Sequence, residues 1–213
     1  MKTERPKQSV KKPVVVAVEG LDYFYFLLGQ IESTKFDDVQ LWIFDQGQTF
    51  SGQVSLIMND RRFKEGGVRA LGFIRDAESN RAASDDSIRN ALHDLGLPVP
   101  TEPKTIAVGA LKTGYLLMPH GENSGCLEHA CLKASLFPNR LVCAEAFLDC
   151  VSKTYTKPTN ENRQAKVKVH ALIASDEGNP AMTLGRSASA NLWDFSHPSL
   201  KVMLEFIEMM AKT

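Results

Sequence analysis

At 213 residues with 43% hydrophobic content, the chain has enough apolar side chain for the core of one large domain or two small ones. Its 25 Lys+Arg balance 25 Asp+Glu, so no net field draws it to nucleic acid or to an anionic membrane, and any such contact must come from a local patch. The longest apolar runs, residues 14–18 and 115–118, fall far short of the roughly 20 residues of a membrane-spanning helix, and the basic start lacks the apolar h-region of a secretory signal. A cytoplasmic protein without membrane attachment is expected.

Residues 1–12 are polar and basic, include Pro6, and read as a flexible tail in which Lys11 and Lys12 either solvate the chain or lie near phosphate. Residues 14–18 (VVVAV) form a β-branched run suited to a buried parallel strand, and Phe24, Leu27, Leu28 and Ile31 follow at helical spacing. A second strand is expected at 39–44, ended by Asp45-Gln46-Gly47, and then a helix from about Ser51 through Val54, Ile57 and Met58. The third strand is expected at 68–74. Ser84-Asp85-Asp86-Ser87 offers capping residues for a helix carrying Ile88, Ala91, Leu92 and Leu95, which Gly96 stops.

A Pro-containing connection at 97–104 leads to two short strands, 105–108 and 113–118, around a turn at 109–112. Beyond Asn123 the pattern is helical, at 127–136, 141–151, 163–173 and 200–210. Cys126, Cys131, Cys143 and Cys150 fall within these patterns and read as buried, reduced thiols, since their spacing does not suit zinc. Trp193-Asp194-Phe195 reads as a structural segment that pins the last helix to the sheet, with Asp194 capping the turn before Pro198.

The alternation predicts a single α/β domain over 13–213: a mostly parallel sheet flanked by helices, with a helical C-terminal portion from about 124 to 213. Right-handed crossovers place the carboxyl ends of the parallel strands along one edge, where ligand sites form. The first and third strands both end in acids. Glu19 follows residues 14–18, and Asp76 and Glu78 follow 68–74; on an extended strand end, residues two apart face the same way. Glu128, in the first turn of a later helix, is a fourth candidate for the same edge. Converging carboxylates suggest a divalent metal, although acids also favour helix starts through the macrodipole and capping. His120 and His129 are either further ligands or satisfied structural histidines.

Five segments together resemble a known family: Val18-Glu19-Gly20-Leu21-Asp22, Phe73-Ile74-Arg75-Asp76-Ala77-Glu78, Met118-Pro119 through Leu127-Glu128, Lys166-Val167-Lys168-Val169-His170-Ala171, and Leu184-Gly185 with Trp193 to Pro198. The chain resembles the TOPRIM-like proteins of an uncharacterised bacterial and archaeal family, distantly akin to the TOPRIM domains of OLD-type nucleases. The resemblance implies a TOPRIM-like fold in which Glu19, Asp76 and Glu78 bind Mg²⁺ or Mn²⁺ for phosphodiester cleavage. It implies further that Lys166 neutralises a transition-state phosphate, with Arg163 and Lys168 at most as helpers.

The usual D-x-D pair reads D-A-E here, and Leu127-Glu128-His129 stands where an L-E-D-like motif would carry one more acid, which points to a one-metal site. The resulting expectation is a metal-dependent nuclease using activated water. The alternative is a non-catalytic TOPRIM-fold module that binds nucleic acid or nucleotide beside a separate ATPase, because the sequence has no G-x-x-x-x-G-K-[ST] loop of its own. The tyrosine-bearing module of topoisomerases is not recognised, so strand passage is not expected.

Overall fold

The β-branched residues Val14, Val15, Val16 and Val18 build the centre of the molecule, all fully buried in the second-innermost strand of a five-stranded sheet. In the computed structural model, which describes residues 8–34, 36–44, 48–154 and 160–212, the chain runs β1 (Val14–Glu19), α1 (Gly20–Ser33), β2 (Val39–Phe44), α2 (Phe50–Met58), α3 (Arg61–Lys64), β3 (Ala70–Asp76) and α4 (Arg81–Asp94). It continues through β4 (Ile106–Val108), β5 (Lys112–Met118), α5 (Leu127–Lys133), α6 (Pro138–Thr154), α7 (Glu161–Ala174), α8 (Leu184–Ser187) and α9 (Pro198–Ala211).

The strand order is β2-β1-β3-β5-β4, with β2, β1, β3 and β5 parallel and β4 antiparallel to β5 at one edge. This is the expected α/β architecture of a mostly parallel sheet flanked by helices. Side-chain alternation divides the core into two layers. Val14, Val16 and Val18 join α1, α5, α7 and α9 on one face, while Val15 and Ala17 join α2 and α4 on the other.

The last helix packs close to the sheet because β3 and β5 carry glycine where it crosses. A Cβ on Gly114 would stand 2.8 Å from Ile106 Cδ1 and 2.9 Å from Met210 Sδ, and one on Gly72 would stand 3.2 Å from Met210 Cγ. Phe206 and Met210 fill that gap and are buried. Trp193 is buried and donates from Nε1 to Ser187 Oγ at 2.7 Å, and Phe195 packs on Phe26 with ring centroids 5.1 Å apart. These contacts go to α8 and α1, where the expectation was a tie between the last helix and the sheet. Asp194 accepts from Ser196 N–H and Oγ–H, while His197 caps α9.

Several local expectations shift. The Ser84–Ser87 stretch lies inside α4, whose N-cap is Asn80, accepting from Ala83 N–H at 3.1 Å. Ser84 instead donates to Ala77 O, and Asp85 accepts from the Tyr115 hydroxyl. Cys126 and Cys131 are buried, but Cys143 and Cys150 are exposed on the outer side of α6. The short helices α3 and α8 fall where the sequence offered no periodic pattern long enough to read.

Residues 1–7 of the expected tail lie outside the described residues, as does Asp45-Gln46-Gly47. Residues 8–12 run along the free edge of β2. There the Gln8 amide pairs with both the N–H and the C=O of Ile43, and Gln40 Oε1 accepts from Lys11 N–H. An edge strand left open is a pairing hazard, and this segment covers part of it. No helix among the described residues is long and apolar enough to cross a membrane.

Phe206→Ala is expected to lower stability by about 3–5 kcal/mol, the usual loss for emptying a buried phenylalanine site. Cys143→Ser on exposed α6 should change it by less than about 0.5 kcal/mol. Urea unfolding followed by far-UV circular dichroism checks both.

Candidate metal and phosphate site

The chain leaves β1 through α1 to β2 on one side, then crosses through α2 to β3 on the other side of β1. The connections after β1 and β2 therefore lie on opposite faces, and the carboxyl ends of β1 and β3 part around a crevice. Crevices of this kind are where open α/β sheets bind ligands. Glu19 is the last residue of β1 and Asp76 the last of β3. Gly20 follows with φ 81°, a left-handed turn favourable to glycine that carries the chain directly into α1.

A cavity of about 110 Å³ opens here, lined by Glu19, Asp22, Tyr23, Asp76, Glu78, Glu128 and Lys166, among others. All five candidate residues named from the sequence, Glu19, Asp76, Glu78, Glu128 and Lys166, border this one space. β1, β3, the loop after β3, α5 and α7 each contribute to it.

Each central carboxylate has one oxygen tied down. Glu19 Oε2 accepts from the Asp76 backbone N–H at 3.1 Å and from Arg75 Nε at 3.4 Å, bridging β1 to β3 at the mouth of the crevice. Arg75 is held in turn over the Phe50 ring. Asp76 Oδ1 accepts from the Tyr23 hydroxyl at 2.5 Å and from Leu127 N–H at 3.0 Å. These bonds fix the orientation of both groups and leave Glu19 Oε1 and Asp76 Oδ2 for other partners.

Glu78 reaches the cavity by a route different from strand alternation. It lies beyond β3 at φ 56°, a left-handed conformation uncommon for a side chain of this type, and is held there by a two-bond bridge to Gly125: Glu78 N–H to Gly125 O at 2.9 Å and Gly125 N–H to Glu78 O at 2.7 Å. The extended strand end expected for Asp76-Ala77-Glu78 is therefore replaced by a bend, with Ala77 buried and Glu78 exposed. Glu78 Oε2 accepts from Asn162 Nδ2 of α7 at 3.4 Å.

Glu128 is only 8% exposed, in the first turn of α5. His129 does not border the cavity: its Nδ1 accepts from Cys126 N–H at 3.3 Å and closes the start of α5. His120 does not border it either. Burial holds the imidazoles of both below their ordinary values. Lys168 pairs with Glu145 of α6 at 3.1 Å, and Arg163 does not border the cavity. Lys166 has no hydrogen-bond or ion-pair partner among the described residues. Burial works to lower the pKa of its ammonium, but Glu128, Cys126, Asp76 and Glu78 outweigh that and raise it.

The electrostatics are strained at Asp76. Burial raises its carboxyl well above the ordinary range, the Tyr23 hydroxyl acts against that, and Glu19, Glu128 and Glu78 push it further up. Among the described residues, no three His, Cys, Asp or Glu side chains are grouped closely enough to hold one ion as they stand. By type, though not by spacing, the donors are those a hard cation takes: they are carboxylate oxygens, and their mutual repulsion is of the kind a cation relieves.

Tyr23 and Asp22 also line the cavity and were not among the candidates read from the sequence. Tyr23 is 2% exposed, four residues after Glu19 and so one helical turn along α1; that spacing is the only hint the sequence offered. Asp22 Oδ1 accepts from Gly185 N–H at 3.1 Å, and a Cβ on Gly185 would stand 2.8 Å from Asp22 O. Only glycine lets α8 approach α1 so closely beside the site.

A family profile described as "Protein of unknown function (DUF3226)" matches residues 13–212. The match covers nearly the whole α/β domain, and the chain belongs to the DUF3226 family. No curated protein and no solved structure matches it.

The raised carboxyl of Asp76 has a consequence for stability. A carboxyl whose folded pKa exceeds its unfolded value, about 3.9 for aspartate, contributes stability below the unfolded value and loses it as pH rises through the folded one. Asp76→Asn keeps an acceptor for Tyr23 and Leu127 without the charge. In EDTA, its melting temperature should gain on that of wild type as pH rises from about 4 to about 8, by a few degrees at about 2–4 °C per kcal/mol for a chain of this size. Scanning fluorimetry across that range checks it; a gap that narrows with rising pH would contradict the assignment.

Proposed function

We propose that this protein is a divalent-metal-dependent phosphoryl-transfer enzyme of the nuclease kind, with a TOPRIM-like catalytic edge. The observation that carries the reading is the convergence of Glu19, Asp76, Glu78 and Glu128 with Lys166 on one cavity at the carboxyl ends of parallel strands. In this reading Glu19, Asp76, Glu78 and Glu128 hold Mg²⁺ or Mn²⁺. When bound, the ion supplies Lewis acidity at a phosphoryl oxygen and eases deprotonation of the attacking water.

The chain's own groups do the rest. Tyr23 and Leu127 N–H fix Asp76, and Arg75 and the Asp76 N–H fix Glu19, so that one oxygen of each is presented without rotational freedom. The Lys166 ammonium, kept charged by the surrounding acids, is placed to neutralise a non-bridging phosphate oxygen. With several carboxylates against one lysine, an anionic substrate is repelled until the cation is present. Activity should therefore be absent in EDTA.

The second reading is a non-catalytic module that binds nucleic acid beside a separate ATPase. It is favoured by the spread of the carboxylates, which among the described residues are not grouped for chelation as they stand, and by the zero net charge; with no P-loop motif in the sequence, the ATPase would be another polypeptide.

The test incubates the protein with supercoiled DNA and with single-stranded RNA in Mg²⁺ or Mn²⁺, beside Asp76→Asn and Glu78→Asn. Asparagine tolerates the left-handed backbone at 78, so both variants should fold, as circular dichroism will verify. Cleavage that falls at least about 100-fold in both variants supports the enzyme; the scale is that of losing one preorganised electrostatic group. No cleavage by wild type with either metal moves the assignment to the binding module.

A further inference from the structure

Arg75 is tied down at one nitrogen only. Its Nε donates to Glu19 Oε2 at 3.4 Å, and its Cζ lies 5.3 Å from the centre of the Phe50 ring. The terminal nitrogens Nη1 and Nη2 make no hydrogen bond or ion pair among the described residues, and neither is closed off from solvent. An aromatic face beneath the guanidinium and one bond at Nε hold the group in place, and two terminal donors are left open.

Alternation along β3 decides where those donors lie. Leu71 and Phe73 pack into the layer of α2 and α4, and Arg75 follows them on that face, over Phe50 of α2. Asp76 turns the other way, to Tyr23 of α1. Glu19, in step with Val15 and Ala17, shares the face of Arg75. Lys166 borders the acid-lined cavity from α7, which packs on the face of α1. The strand ends of β1 and β3 thus have a guanidinium on one face of the sheet and an ammonium on the other. Arg75 does not itself border the cavity; it stands beside it, one hydrogen bond away through Glu19.

We propose that Arg75 is a substrate-binding residue whose terminal nitrogens grip the phosphate next to the one that enters the cavity, so that the site prefers a chain of phosphodiesters to an isolated one. The proposal rests on the reading above that the cavity works on a phosphodiester. Position carries the assignment. Lys166 borders the space in which the reacting phosphate would sit, whereas Arg75 lies outside it by the length of the Glu19 carboxylate. A guanidinium fork matches two oxygens of one phosphate, and Nη1 and Nη2 are the donors this one has left. Phosphate contacts carry no base information, so the preference is for backbone whatever its sequence. The Nε bond also steadies Glu19, and the two roles separate by experiment.

The experiment measures kcat/KM of the full-length protein in Mg²⁺ or Mn²⁺ on two substrates. Bis(p-nitrophenyl) phosphate has a single phosphodiester and no neighbouring phosphate; a single-stranded DNA oligonucleotide, taken across a range of salt, has many. Wild type is compared with Arg75→Gln, Arg75→Lys and Arg61→Gln, the last removing one charge from an exposed pair with Glu65 on α3. Glutamine keeps a donor for Glu19 without the charge, and lysine keeps the charge without the fork. Scanning fluorimetry verifies that each variant folds. For Arg75→Gln the expected result is kcat/KM at least about tenfold lower on the oligonucleotide and within about twofold of wild type on the small diester. Its salt slope should be shallower by about 0.7, the share of one phosphate contact on a single strand. Arg75→Lys should restore the slope and part of the rate, and Arg61→Gln should match wild type. Equal loss on both substrates overturns the proposal and leaves Arg75 as a support for Glu19 alone. An unchanged salt slope overturns it too, whether or not wild type cleaves the small diester. Wild type that cleaves neither substrate removes the enzyme reading and this proposal together.

Discussion

The hydrogen bond from the Asp76 backbone N–H to Glu19 Oε2 joins the ends of β1 and β3, and the site is organised around it. Parallel pairing of the two strands matches Val18 to Ile74 and brings their carboxyl ends level. The chain departs from β1 toward β2 and returns to β3 on the far side, so no crossover connects these two strands directly at that edge. Into the opening come α5 with Glu128 and α7 with Lys166. Had β3 paired outside β2, Glu19 and Asp76 would have been separated by a strand, and the cavity would not exist.

The same arrangement holds like charges together at a disadvantage. Asp76 is desolvated, faces three other acids, and is steadied by a phenol and a backbone amide. Glu78 adds a left-handed backbone held by a bridge to Gly125. This strain and repulsion are tolerated because the two hydrophobic layers beneath are well filled. Phe206 and Met210 closing over Gly72 and Gly114 belong to that foundation.

Much of the frame was legible in the chain. The second strand was read with its observed bounds, residues 39–44, and the 105–108 and 113–118 pair emerged as the antiparallel hairpin β4–β5, because β-branched runs and turn residues are local signals. The start of α4 was misplaced since Ser84, Asp85, Asp86 and Ser87 all look like caps, and only the tertiary structure gives Ser84 and Asp85 partners in Ala77 and Tyr115. Cys143 and Cys150 were expected inside. Their seven-residue spacing put them on one helical face, but spacing does not say which face of a weakly amphipathic helix meets the core.

By itself the sequence determined that acids end the first and third strands and that a lysine follows on a later helix, because strand ends and helix periodicity are written in short-range patterns. Only the tertiary structure decided that Tyr23 holds Asp76, that His129 caps a helix away from the cavity, that Glu78 arrives through a bend, and that Gly185 brings α8 against α1. Those facts depend on contacts between segments far apart in the chain and on backbone angles, and neither is fixed by the residues next to them in sequence.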